Sequence, residues 1–308
     1  MAHQRRATVF LSLAVCLWLP GGAARAADPP WLARGRTGMV ASDSPEASQI
    51  GADVLAAGGN AFDAAVATSF ALAVARPQST GLGGGGFMVA WVAAEKRFVV
   101  LDFRECAPQA ATPERYAELA AQQGDGFSPS VYGGNAVAVP GQLAGLVEIN
   151  RRFGTQPLKE LIRPAAALAE AGFAVDAHYR GACKEALAVL EKSPALMLRY
   201  KVLYETLLNK GKLPQIGERL KRPDLARGLR LIAQEGPRVF YEGPVAAAIV
   251  SAVKASGGEL TPEDLRNYRV LERAPIRAAM GEYELVTMPP PSSGGVCLIE
   301  ALNILQCL

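Results

Sequence analysis

Residues 81–104 read Gly-Leu-Gly-Gly-Gly-Gly-Phe-Met-Val-Ala-Trp-Val-Ala-Ala-Glu-Lys-Arg-Phe-Val-Val-Leu-Asp-Phe-Arg, and this stretch decides the fold class. Two β-rich runs, 87–93 and 97–104, flank Ala94-Glu95-Lys96, which is the pattern of a hairpin. Alternation along the second run places Phe98, Val100, Asp102 and Arg104 on one face and Val99, Leu101 and Phe103 on the other. Upstream, Asn60 starts a helix, 61–75, that is apolar or small nearly all round and is therefore expected to lie buried between layers. It is too short to cross a membrane, which takes roughly 20 residues. Arg76-Pro77 ends it. A buried helix followed by an antiparallel hairpin predicts a layered α+β sandwich.

Working outward, 38–42 reads as a short strand. Asp43 is placed to cap the next helix, with Pro45 in its first turn and Glu46 as capping-box partner. Ala47, Ile50, Gly51, Val54 and Leu55 make that helix's apolar stripe, and Gly58-Gly59 stops it. Beyond Pro108 the chain turns mainly helical, with segments expected at 113–123, 141–153, 158–171, 182–191, 196–217, 223–235 and 243–256. Thr261-Pro262-Glu263-Asp264 is another capped start. Residues 278–288 read as a strand or hairpin leading into Pro289-Pro290-Pro291-Ser292-Ser293-Gly294-Gly295, and a last helix begins near Val296. Its apolar end, with Leu302, Ile304, Leu305 and Leu308, is expected to dock on this chain or on sequence beyond it.

The 308 residues are 50% hydrophobic and 20% charged, ordinary for a globular protein. Arg5 and Arg6 precede an apolar run, 7–19, and then Ala24-Arg25-Ala26. That is the form of a secretory signal peptide over residues 1–26, cleaved after Ala26, and it implies a secreted or periplasmic protein without a stable membrane anchor. Cleavage removes Arg5, Arg6 and Arg25. The remaining basic residues then balance the 29 acidic ones, so the sequence pI of 8.6 carries no message about nucleic acid. Cys106, Cys183, Cys297 and Cys307 show no C-x-x-C or zinc spacing and are expected to be small buried apolar residues. His178 is the one histidine outside the leader, in a surface or capping setting. A Ser-His-Asp hydrolase would rest on it alone, and no H-E-x-x-H or G-x-S-x-G motif is present.

The loop 81–86 matches G-x-G-x-x-G in letters, but it follows a helix and enters a strand, whereas dinucleotide binding needs the reverse order. Close backbone approach or positive φ is the expected reason for its glycines. Arg104 has two readings. One is an ion pair with Asp102 on the same strand face. The other is a fork for a substrate carboxylate, which the planar guanidinium binds bidentately. The prolines and glycines of 289–295 suit either a cavity-lining turn or a surface loop.

Several segments together resemble the γ-glutamyltranspeptidase proenzymes. They are Gly38-Met39-Val40-Ala41-Ser42, Ala57-Gly58-Gly59-Asn60-Ala61-Phe62-Asp63-Ala64-Ala65-Val66, Gly81 to Phe87, Leu101-Asp102-Phe103-Arg104-Glu105-Cys106-Ala107-Pro108, Val139-Pro140-Gly141 and Pro289 to Gly295. The resemblance implies a four-layer αββα N-terminal-nucleophile hydrolase, of which residues 27–308 are a large-subunit portion with a largely helical second half. It further implies a precursor that cuts itself, so that the new N-terminal threonine of a small subunit attacks γ-glutamyl amides such as glutathione. The glutamyl group then passes to water, an amino acid or a peptide. Arg104 matches the family's arginine for the glutamyl α-carboxylate. No metal, cofactor or nucleic acid is implied, and no catalytic residue falls in these 308 residues, which are expected to be inactive alone. A cephalosporin or glutaryl acylase of the same fold, and a non-catalytic remnant that binds a partner chain, are the alternatives.

Overall fold

The structure, a computed structural model, describes residues 32–122 and 128–306. The expected signal peptide and Cys307 lie outside the described residues. The chain divides into two units, Met1–Met39 and Val40–Leu308. In the first, residues 32–39 form a bend without helix or strand.

In the second unit, the first half contains helices α1 (Pro45–Ala56) and α2 (Ala61–Ala75), strands β1 (Phe87–Val92) and β2 (Arg97–Asp102), and helix α3 (Pro113–Gln122). Helices α4 (Gln142–Phe153) and α5 (Leu158–Ala171) follow, then β3 (Phe173–Ala174), α6 (Ala177–Leu190), α7 (Pro194–Arg199) and α8 (Lys201–Thr206). The last part holds β4 (Arg219–Leu220), α9 (Pro223–Glu235), α10 (Arg238–Tyr241), α11 (Pro244–Ala255) and α12 (Pro262–Asn267). It closes with β5 (Leu271–Arg273), β6 (Ile276–Met280), β7 (Tyr283–Thr287) and α13 (Gly294–Gln306).

β1, β2 and β5 form an antiparallel sheet in that order, and β6 pairs with β7. The inward face behaves as the alternation predicts. Val99, Leu101 and Phe103 join Phe70 and Val74 of α2 and Leu143 and Leu146 of α4 in one buried cluster. Complete burial of a residue such as Phe70 removes apolar area worth about 2–3 kcal/mol from water. α2 is buried on most of its circumference, between α1, α4 and α5. Its N-cap Asn60 accepts the Phe62 and Asp63 N–H groups, and Asp63 accepts the Asn60 N–H in return. On the outward face Trp91 meets Phe98 edge-on, with ring centroids 5.0 Å apart, and Arg277 of β6 lies over Phe98. α13 packs on β6, giving a second, smaller strand-and-helix pair. The α+β class and the helical second half are therefore as expected.

Local expectations fail where partners are distant. Residues 38–42 form no strand. The cap of α1 is Ser44, whose hydroxyl accepts the Ala47 N–H, because Pro45 occupies the first helical position and the residue before a proline is held extended. Asp43 instead meets Arg76, whose Nε donates to its carbonyl at 2.9 Å. α6 begins five residues earlier than expected, capped by Asp176 accepting the Tyr179 N–H, with His178 exposed beside the cap. Cys183 is buried, but Cys106 and Cys297 are exposed, which corrects the expectation of buried thiols.

Candidate functional site

Arg104 lies two residues past the end of β2, exposed, and not on the strand as the alternation implies. Phe103 makes the last ladder pair, donating to Gly86 at 3.0 Å and accepting from it at 3.2 Å. The backbone groups of Arg104 are then satisfied from elsewhere. Its N–H donates to Asp102 Oδ1 at 3.0 Å, and its carbonyl accepts the Tyr268 hydroxyl at 2.9 Å. Tyr268 is buried, and that burial pushes its phenol well above the ordinary value, so the hydroxyl stays a donor.

Four of the motifs converge on this arginine. The glycine loop presses against it from one side: a Cβ on Gly85 would stand 2.6 Å from the Phe103 carbonyl oxygen and 2.7 Å from the Glu105 nitrogen, so only glycine fits. None of the glycines 81–86 has positive φ; close approach explains Gly85 and Gly86, whereas a Cβ on Gly81 or Gly83 would meet nothing within 4 Å. Gly84 O accepts the N–H groups of Gly141 at 2.9 Å and Gln142 at 2.8 Å, so this carbonyl occupies the start of α4 and ties 139–141 to the loop. Cys106 and Val139 form an isolated bridge beside it. The fourth motif reaches over from 289–295, where the Pro291 carbonyl accepts from Arg104 Nη1 at 3.0 Å. Residues 57–66 go elsewhere, into the turn before α2 and its first turns, where Asp63, Ala64 and Val66 are buried.

The expected ion pair between Arg104 and Asp102 is absent. Asp102, only 6% exposed, pairs instead with Arg273 of β5, Nε to Oδ2 at 2.6 Å. The register sets Arg273 opposite Val100, so it reaches Asp102 along the diagonal on the outward face. Glu105 turns its Oε1 toward Gly84. Among the described residues the Arg104 guanidinium thus has one neutral acceptor and no carboxylate, which leaves its remaining donors available to an anion. Sequence reasoning missed Arg273 and Tyr268. β5 has three residues, too few to show alternation, and nothing local marks either side chain.

The family profile described as Gamma-glutamyltranspeptidase matches residues 47–308. The chain is 40% identical over 274 residues to the glutathione hydrolase proenzyme of Bacillus subtilis (strain 168), covering 88% of this chain and 45% of that protein. It is 42% identical over 278 residues to the acylase ACY 1 proenzyme of Pseudomonas sp. (strain SE83), covering 89% and 48%. It therefore spans about half the length of these curated relatives. Among solved structures, the γ-glutamyltranspeptidase of Helicobacter pylori superposes with a TM-score of 0.80 at 38% identity, over 90% of this chain and 77% of that one. The cephalosporin acylase of Bacillus halodurans gives a TM-score of 0.78 at 33% identity, over 92% and 52%. With the match running across most of its length and the shared motifs meeting at Arg104, the chain belongs to the γ-glutamyltranspeptidase family.

Proposed function

We propose that residues 27–308 are a large-subunit portion of a self-cleaving precursor that hydrolyses and transfers γ-glutamyl groups, with Arg104 gripping the α-carboxylate of the donor. The observation that carries this is the exposed guanidinium, without a carboxylate partner among the described residues and held where four motifs meet. The nucleophile is the N-terminal threonine of the small subunit, outside these residues. Its own α-amine serves as base for the hydroxyl, so no histidine is needed, in keeping with the lone His178. Attack on the γ-amide forms an ester and releases the amine. Water or an acceptor amine then takes the glutamyl group while backbone donors hold the oxyanion.

The exposed apolar side chains of the outward sheet face, Val89 and Trp91, and of α13, Ile304 and Leu305, support a partner segment there, and the small subunit is the one we assign. Among the described residues no helix is long and apolar enough to cross a membrane. The leader over 1–26 supports export.

The test replaces Arg104 by Gln or Lys in the protein carrying its small subunit. Loss of a bidentate charge-assisted pair is expected to raise KM for γ-glutamyl donors by roughly 100-fold for Gln, and less for Lys. Unchanged KM would sink the clamp. The 42% identity to an acylase proenzyme favours a second reading, an acylase acting on glutaryl or related acyl groups, whose carboxylate Arg104 would equally suit. Preference for glutaryl over γ-glutamyl anilide would select it.

A further inference from the structure

We propose that Arg273 is a positioning residue, which keeps Arg104 available for substrate by occupying the carboxylate that would otherwise capture it; this rests on the reading of Arg104 as the carboxylate clamp. Three observations meet here. Asp102 is nearly buried and sits two residues from Arg104, with Oδ1 already accepting the Arg104 N–H. A buried carboxylate without a cation is costly, and the nearest flexible cation on its own strand end is Arg104. Among the described residues the Arg104 guanidinium is tethered only by the neutral Pro291 carbonyl, a weaker acceptor than a carboxylate. Left alone, Asp102 would draw in the guanidinium and compete with any bound α-carboxylate. Arg273 prevents this from β5 with its Nε on Oδ2 at 2.6 Å. The short third strand thus has a specific task, to deliver one guanidinium to Asp102.

The experiment measures kcat and KM in the protein carrying its small subunit, with γ-glutamyl anilide and with γ-aminobutyryl anilide, which lacks the α-carboxylate. For Arg273→Gln, KM on the carboxylated donor should rise about tenfold with kcat nearly unchanged, and KM on the second donor should stay put. Arg273→Lys should keep most of the wild-type KM. Adding Asp102→Asn to Arg273→Gln should restore KM to within about threefold, because Asn keeps the acceptor for the Arg104 N–H and removes the competing charge. Equal losses on both donors, or no restoration in the double variant, would overturn the proposal.

Should Arg273→Gln fail to accumulate, Asp102→Asn alone is informative: KM should remain within about twofold of wild type, and a tenfold rise would overturn the positioning role. If the wild-type protein does not distinguish the two donors, the clamp reading itself fails. If it distinguishes them and Arg273→Gln does not alter the difference, only the positioning role fails.

Discussion

Asp63 at the start of α2 and Asp102 at the end of β2 are both buried, at 0% and 6% exposure, and they solve the problem of a buried charge in opposite ways. Asp63 uses neutral donors, one from its own cap and the rest from a turn 92 residues further along. Its carboxylate accepts the Asn60, Thr155 and Gln156 N–H groups and the Thr155 hydroxyl, the last at 2.6 Å. This knits the cap of α2 to the turn between α4 and α5. Asp102 uses a guanidinium from a strand 171 residues further along. The first arrangement is a joint, made by backbone N–H groups and one hydroxyl. The second is an allocation of charge, in which a partly exposed side chain satisfies one group so that another stays free. Burial alone therefore does not mark a functional acid; the kind of partner does.

The contrast breaks most visibly at Asp63. Asn there would set an amide donor against N–H groups that have lost their acceptor, and leaving two buried donors unmet is expected to cost about 3 kcal/mol in urea unfolding. Tyr268→Phe removes the hydroxyl held by the Arg104 carbonyl and should cost about 1 kcal/mol in the same measurement. Asp102→Asn should cost least, about 0.5 kcal/mol, because the Arg273 side chain is 35% exposed and water can take over its charge. Equal losses at Asp63 and Asp102 would erase the distinction.

Acid sharpens it further. Burial by itself would raise the Asp63 pKa, but the Thr155 hydroxyl and the surrounding N–H groups outweigh it and hold the carboxyl below its ordinary value. A depressed folded value means that the stabilisation is complete above about pH 4 and is lost as pH falls through the lower folded value. Asp264 at α12 is shifted the same way by the Gln109 N–H and the Thr261 hydroxyl, against its own desolvation. The gap in unfolding free energy between wild type and Asp63→Asn should therefore narrow below about pH 4. A constant gap down to strongly acidic pH would contradict this account.

Much of the fold was legible because its signals are short-range. The Asn60 cap, the buried composition of α2, the turn at Ala94-Glu95-Lys96 and the bounds of α5 and α9 each depend on residues within one or two turns. The order of motifs sufficed to name the family and to single out Arg104. What stayed hidden was the choice among near neighbours. The sequence pointed to Asp43 as the cap of α1, yet Ser44, next to Pro45, takes that place, while Asp43 engages Arg76 from the end of another helix.

At the candidate site the sequence by itself determined the actors: a carboxylate and an arginine two residues apart, a run of glycines just before the strand, and a Pro-Ser-Gly segment far downstream. Only the tertiary structure decided who pairs with whom. Asp102 and Arg104 are close in sequence, yet the chain leaves the strand between them, so their side chains do not share a strand face. β5 then brings Arg273 within 2.6 Å of Asp102, and the 289–295 segment brings a carbonyl to Arg104. Ion pairs form between groups that are close in space and not already satisfied. That condition is set by which strand joins the sheet edge, and no local pattern in three residues of β5 encodes it.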